Sequence, residues 1–293
     1  MPISKFRDSP YGYTPTEYVC IIFVALFGLS TVIHVGQSIR YRVWWVFPTV
    51  ILCGALETVG WGGRLWSALQ PVLFEPYEIQ IVCTIIGPTP LAAANFVILG
   101  RIINRLGPAY SRLSPKLYTI IFLCCDIISL VVQAIGGGMA AQAVNMLKNP
   151  AKGGNVMLGG ITFQMACIAP VTITVYAFCA GEFLVRYLNN WPIRRDLATK
   201  PTPLSRNLKV LVSALVFSTL CLFIRAVYRV IELSDGWTGR IIHTQVYFNV
   251  LDGMMITLAI LTLNVAHPGR LLAPAVPRKE VESTDETTDG TKV

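Results

Sequence analysis

The stretch LFIRAVYRVIEL, residues 222–233, decides how this chain is read. It carries Arg225, Arg229 and Glu232 inside a segment otherwise apolar enough to cross a bilayer. Spacings of four and three residues put all three on one helical face. An arginine at the centre of a membrane helix costs roughly 2.5–3.5 kcal/mol to insert on the translocon scale. It persists where acids on neighbouring helices pair with it, or where it lines a wet cavity. Three further acids, Glu57, Asp126 and Asp252, also fall within apolar stretches. The sequence therefore predicts a charged interior inside an apolar shell.

Composition agrees. Of the 293 residues, 54% are hydrophobic and only 14% charged, with a mean hydropathy of +0.58. A soluble domain carries about 25% charged residues, so the class is an integral membrane protein. The formal charge of +8 does not point to nucleic acid. Its basic residues sit in short connections beside apolar spans, and no basic face with interleaved aromatics exists. All eight cysteines lie within or at the edges of apolar spans and read as small hydrophobes rather than a disulfide framework.

Seven stretches are long enough to span, at approximately 18–39, 43–63, 78–100, 118–138, 158–182, 209–231 and 246–266. The first, third and fifth connections with the C-terminal tail hold sixteen Lys and Arg, whereas the opposite side holds six. The positive-inside rule then places the N-terminus outside and the C-terminus in the cytoplasm. The expected fold is thus all-α: a polytopic bundle of seven transmembrane helices. Residues 1–17 form an external segment without a signal-peptide core, 18–266 the membrane domain and 267–293 a disordered cytoplasmic tail.

Within this frame, Pro88 and Pro90 predict a kink or break in the third span. Gly136, Gly137 and Gly138 end the fourth, and lack the Lys and Ser/Thr of a phosphate loop. Counting about 1.5 Å of rise per residue places Glu57, Arg225 and Asp252 at similar depth in the outer half of the bilayer. Gln133 and Gln164 fall in the same layer, and Asp126 lies deeper, as a candidate for proton coupling. Arg229 and Glu232 fall near the outer interface, where they could snorkel to water. The candidate substrate-binding set is Glu57, Arg225, Asp252, Arg229, Gln133 and Gln164. The arginines suit an anionic headgroup, and Glu57 or Asp252 a cationic one. The competing reading is an ion-pair network that fixes helix register and binds nothing. His34 and His243 have no neighbours at metal-ligand spacing, so no metal and no cofactor is expected.

Seven segments carry a resemblance: YGYTP at 11–15, HVGQSIRYR at 34–42, ETVGWGGR at 57–64, LGRII at 99–103, QAIGGGMA at 133–140, FIRAVYRVIEL at 223–233 and NVAHPGR at 264–270. In this order they resemble the fungal lipid-translocating exporter family of seven-span proteins, sometimes named after aminocholesterol resistance. The resemblance runs over about residues 11–270. It implies a multi-pass protein of the plasma membrane or an endomembrane, linked to export or flipping of sphingoid long-chain bases, resistance to toxic amphiphiles and porphyrin transport. Glu57, Gly60 and Arg64 match the family's second-span pattern, and Arg225, Arg229 and Glu232 its sixth-span pattern, with no role attached.

The expected function is translocation or efflux of a lipid-like amphiphile (a sphingoid long-chain base, a sterol-like toxin or similar), giving resistance to it. Its partners would be membrane lipids and that substrate, not nucleic acid. No GxxxxGK[S/T] motif is present, so direct ATP coupling is not expected. The alternative is a heptahelical receptor or sensor that regulates the response by signalling. Against a light receptor, no span holds a lysine away from its ends for a retinal Schiff base. An intramembrane enzyme ranks last: no HExxH occurs, and Asp126 and Asp252 lie in opposite halves of the bilayer.

Overall fold

The structure, a computed structural model, describes residues 9, 11–73, 75–106, 205–234 and 240–272, with 124, 128, 131, 132, 135, 181, 182, 184–189 and 191. The described residues form helices and turns with no strand. The long elements are α1 (Glu17–Tyr41), α2 (Leu52–Leu69), α3 (Glu75–Ile86), α4 (Pro88–Leu106), α5 (Arg206–Ser234), α6 (Met255–Val265) and the short α7 (Pro268–Leu271). A π-helical stretch, Phe47–Ile51, leads into α2, and another, Phe248–Met254, leads into α6. Among the described residues five spans are long and apolar enough to cross a membrane: Glu17–Tyr41, Trp44–Leu69, Glu75–Leu106, Arg206–Glu232 and Gln245–Leu271.

These five coincide with the first, second, third, sixth and seventh stretches expected from sequence. The fourth and fifth stretches lie outside the described residues apart from isolated helical positions. So do Asp126, Gln133, Gln164, the glycine triplet and residues 273–293 of the tail, whereas residues 267–272 are described and carry α7. The second span runs six residues past its expected end, to Leu69, so Arg64 sits inside a helix rather than at its exit. A hydropathy window stops at a charge, whereas the helix continues because Leu65, Trp66 and Leu69 keep it apolar.

The packing is that of a protein whose solvent is hydrocarbon. On α1 the buried stripe is Cys20, Phe23, Phe27, Ser30, His34 and Ser38, while Ile21, Ile22, Leu29, Val32 and Ile33 face outward. Polar groups therefore point in and aliphatic ones out, since a polar group in lipid has nothing to bond. His34 Nε2 donates to Ile260 O (3.2 Å) and Gln37 to Asn264 O (2.9 Å), tying α1 to α6. The first connection closes with Arg42 in the left-handed conformation, letting Val43 N–H reach back to Ser38 O, a Schellman-type stop. Trp45, just beyond it, receives the Arg101 guanidinium 5.0 Å from its ring.

Small residues let α3 lie close on α2. A Cβ at Gly63 would stand 2.9 Å from Pro76 O, so only glycine admits this backbone approach. Between α3 and α4 the chain breaks at Gly87, as the two prolines predict.

Candidate functional site

Five ionisable side chains on α2, α5 and the final span meet in one buried layer. Glu57 and Asp252 have no exposed surface, and Arg229, the most accessible of the set with Arg225 and Glu232, retains 8%. Arg229 and Glu232 are thus turned inward, correcting the expectation that they snorkel. The physical reason is local: the i,i+3 spacing lets them neutralise each other, so neither has to reach water.

Arg229 is the hub. Its Nε and Nη2 donate to Asp252 Oδ1 and Oδ2, each at 3.0 Å, as a two-pronged fork. Its Nη1 donates to Glu232 Oε2 at 2.8 Å, and Glu232 Oε1 accepts from the Tyr228 hydroxyl at 2.8 Å. Arg225 Nε lies 2.7 Å from Asp252 Oδ1 as an ion pair, although its N–H is not aimed at that oxygen. Two arginines and two acids thereby balance.

The same layer uses the break in the third span. Pro88 has no N–H, so the carbonyl of Thr84, four residues earlier, loses its helical donor. Arg225 Nη2 takes that place at 2.6 Å from Thr84 O. Thr84 Oγ1 accepts from Arg229 Nη2 at 3.4 Å. A proline on one span thus creates an acceptor for an arginine on another.

Asp252 reaches this layer through the π-helical stretch. A π turn inserts a residue relative to α-helical register, and such turns cluster at functional sites. Here it buries Phe248, Asp252 and Gly253 together. The Phe248 ring lies 5.1 Å from the Arg229 guanidinium and 4.6 Å from that of Arg64.

Glu57 stands apart. Neither of its carboxyl oxygens has a hydrogen-bond partner among the described residues, although Asp252, Arg225 and Arg229 are within electrostatic range. The arginine ion pairs go to Asp252 and Glu232 instead. The carboxyl rests against the break in the third span, where a Cβ at Gly87 would meet Oε1 at 2.6 Å. Buried polar groups are nearly always paired, so a carboxyl with neither oxygen bonded is exceptional, whereas Arg225, with its Nε unbonded, still has an ion pair and a carbonyl.

Above it on α2, Arg64 sits in a box of aromatic rings. Tyr11, Tyr13, Trp61 and Phe248 have centroids 4.6–5.7 Å from its guanidinium. Nη2 donates to the Tyr13 hydroxyl at 2.7 Å. Residues 11–15 therefore cover this end of the bundle. Tyr11 O accepts from His243 Nδ1 at 2.6 Å, and the Tyr11 hydroxyl donates to Gln80 Oε1 at 3.0 Å. Burial pushes that hydroxyl above its usual pKa, with Arg64 opposing the shift. Gly12, at φ +69°, makes the turn between the two tyrosines.

Of the residues singled out from sequence, Glu57, Arg225, Arg229 and Asp252 come together, whereas Gln133, Gln164 and Asp126 lie outside the described residues. Thr84, Tyr228, Phe248 and the tyrosines around Arg64 were not foreseen. For Thr84 a signal existed, a carbonyl four residues before a proline. For the others there was none beyond the YGYTP motif. Among the described residues no three His, Cys, Asp or Glu side chains group so as to hold a metal ion.

The family model described as RTA1 like protein matches residues 50–275. The sphingoid long-chain base transporter RSB1 of Saccharomyces cerevisiae is 31% identical over 280 residues, covering 88% of this chain and 73% of the relative. Protein RTA1 of the same yeast is 28% identical over 286 residues, covering 88% and 84%. A lipid-translocating exporter-like protein, RTA1 of Leptosphaeria maculans, is 25% identical over 286 residues, covering 89% and 51%. No solved structure matches.

Proposed function

The chain belongs to the RTA1-like protein family, and from that premise we propose that it moves a single-chain amphiphilic amine, such as a sphingoid long-chain base, between the leaflets of a bilayer. Glu57 is the group that takes the ammonium. The observation that carries this reading is the carboxyl of Glu57, without a hydrogen-bond partner among the described residues and buried against Gly87 in the break of the third span. Asp252, the other acid suited to a cation, is already neutralised by Arg225 and Arg229. Both arginines are committed in turn, which leaves them ill-placed to bind an anionic headgroup.

In this reading the Arg225–Arg229–Asp252–Glu232 network is a scaffold, and Glu57 is the working acid. A buried carboxylate without a counter-ion is costly, and an incoming ammonium supplies that counter-ion. The hydrocarbon chain stays in lipid, so only the headgroup needs a polar site. The activity is non-enzymatic, as the names of the relatives also suggest. The same reading takes the chain as a seven-span plasma-membrane protein with external N-terminus, conferring resistance to the amphiphile it moves.

The test is transfer of a fluorescent sphingoid base across liposomes holding the purified protein, with Glu57→Gln alongside. Size-exclusion and helicity measurements establish that the variant folds. The expected result is transfer by the wild type and its loss in folded Glu57→Gln. Wild-type liposomes no faster than empty ones, with pH gradients in both directions, would overturn direct transport of this lipid and bring the sensor reading forward.

A further inference from the structure

A second site lies on the other side of α5 from the charged layer. Ile224, Val227, Tyr228 and Ile231 of α5 face Tyr247 and Leu251 of the final span across a groove of about 480 Å3. That volume is within the range of roughly 300–1,000 Å3 typical of small-molecule sites. The lining is almost wholly apolar, which suits a hydrocarbon chain. Arg240 closes the end at which α5 finishes and the last span begins, and it is exposed. No acid among the described residues pairs with it. A span end is where a bilayer changes from hydrocarbon to headgroup, so a cation stands there beside an apolar groove, the pairing that an anionic amphiphile needs.

We propose that this groove binds a single-chain lipid with a phosphate headgroup, its chain along α5 and its phosphate on Arg240. An arginine fork matches phosphate geometry, and a phosphomonoester brings three acceptor oxygens and more charge than a carboxylate. It therefore gains most from a cation at a rim where water screens the interaction. A protonated amine would be repelled there. The site is distinct from Glu57 in place and in charge preference, and it does not depend on translocation. It also touches the network: the Tyr228 ring forms part of the groove wall, and its hydroxyl holds Glu232, which holds Arg229.

The experiment is photo-crosslinking of the full chain in nanodiscs of neutral phosphatidylcholine. The probe is lysophosphatidic acid with a diazirine in its chain. Monoacylglycerol and a fatty acid bearing the same diazirine chain are the controls, and crosslinks are mapped by mass spectrometry. The phosphate probe is expected to label the 223–231 and 241–251 segments about tenfold more than either control, the discrimination of one charge-assisted contact. Arg240→Gln should reduce that labelling to the level of monoacylglycerol, and Val227→Trp should abolish it by filling the groove. Inorganic phosphate at the probe's concentration should not compete, because the chain supplies the remaining affinity. Equal labelling by the controls, indifference to Arg240→Gln, competition by inorganic phosphate or labelling outside these segments would each overturn the assignment. Because Arg240 is exposed, its replacement leaves packing intact and keeps the result readable.

Discussion

Arg225 Nη2 stands 2.6 Å from the carbonyl oxygen of Thr84, a group that Pro88 has stripped of its helical donor. The break in the third span and the charge on the sixth are therefore one structural device. A buried carbonyl without a donor costs about 1–3 kcal/mol, and a buried arginine without acceptors costs more. Each removes the other's penalty.

This coupling is measurable. Arg225→Gln should destabilise the protein in detergent by about 3 kcal/mol, as removal of one member of a buried charge network does. Pro88→Ala gives the carbonyl back a backbone donor. The pair of substitutions should therefore show an interaction energy of about 1 kcal/mol or more in a double-mutant cycle of unfolding free energies. Strict additivity would mean that the contact carries no energy.

Asp252 and Glu232 should differ in consequence although both accept from Arg229. Asp252→Asn leaves two buried arginines short of a counter-ion, with an expected loss of about 3–5 kcal/mol. Glu232→Gln keeps an acceptor for Tyr228 and disturbs a single arginine contact, for which about 1–2 kcal/mol is expected. Thermal unfolding in matched detergent ranks the two, and the reverse order would displace Asp252 from the centre of the network.

Glu57 provides the converse case. With no hydrogen-bond partner among the described residues to lose, Glu57→Gln should leave the unfolding temperature unchanged or raise it, while amine transfer in liposomes falls to background. A fall in stability as large as that of Asp252→Asn would put Glu57 inside the structural network and remove it from the working site.

Gly87→Ala places a methyl group where the Glu57 carboxyl lies. Overpacking of this kind costs about 1–3 kcal/mol. Shortening the acid in Gly87→Ala/Glu57→Ala should recover most of the loss. Equal destabilisation in the single and double variants would show that the strain lies in the backbone of the break.

At the covered end of the bundle, Tyr13→Phe removes the hydroxyl that accepts from Arg64 at 2.7 Å and keeps the ring beside it. A hydrogen bond to a charged group contributes about 1.5–3 kcal/mol, so a loss of that order is expected. Tyr18→Phe, on an outward-facing side chain of α1, should cost nothing measurable in the same assay.

Much of this was fixed by residue order alone. A helix that crosses hydrocarbon has to be long and apolar, so hydropathy located the five described spans, with the largest errors of six residues where a charge cut the window short, at Arg64 in the second and Arg101 in the third. Helical periodicity put Arg225, Arg229 and Glu232 on one face, and Pro88 with Pro90 marked the break. Depth counting brought Glu57, Arg225 and Asp252 to one layer. Depth could not say which acid an arginine would choose, because that depends on rotation about each helix axis. Tertiary structure decided it through the π-helical stretch at Phe248–Met254, which turns Asp252 toward both arginines. Glu57 is left against Gly87 without a hydrogen-bond partner among the described residues. The aromatic box of Arg64 has the same origin, since Tyr11 and Tyr13 come from a segment more than fifty residues away in sequence. Periodicity reports what a helix presents, and only packing determines what meets it.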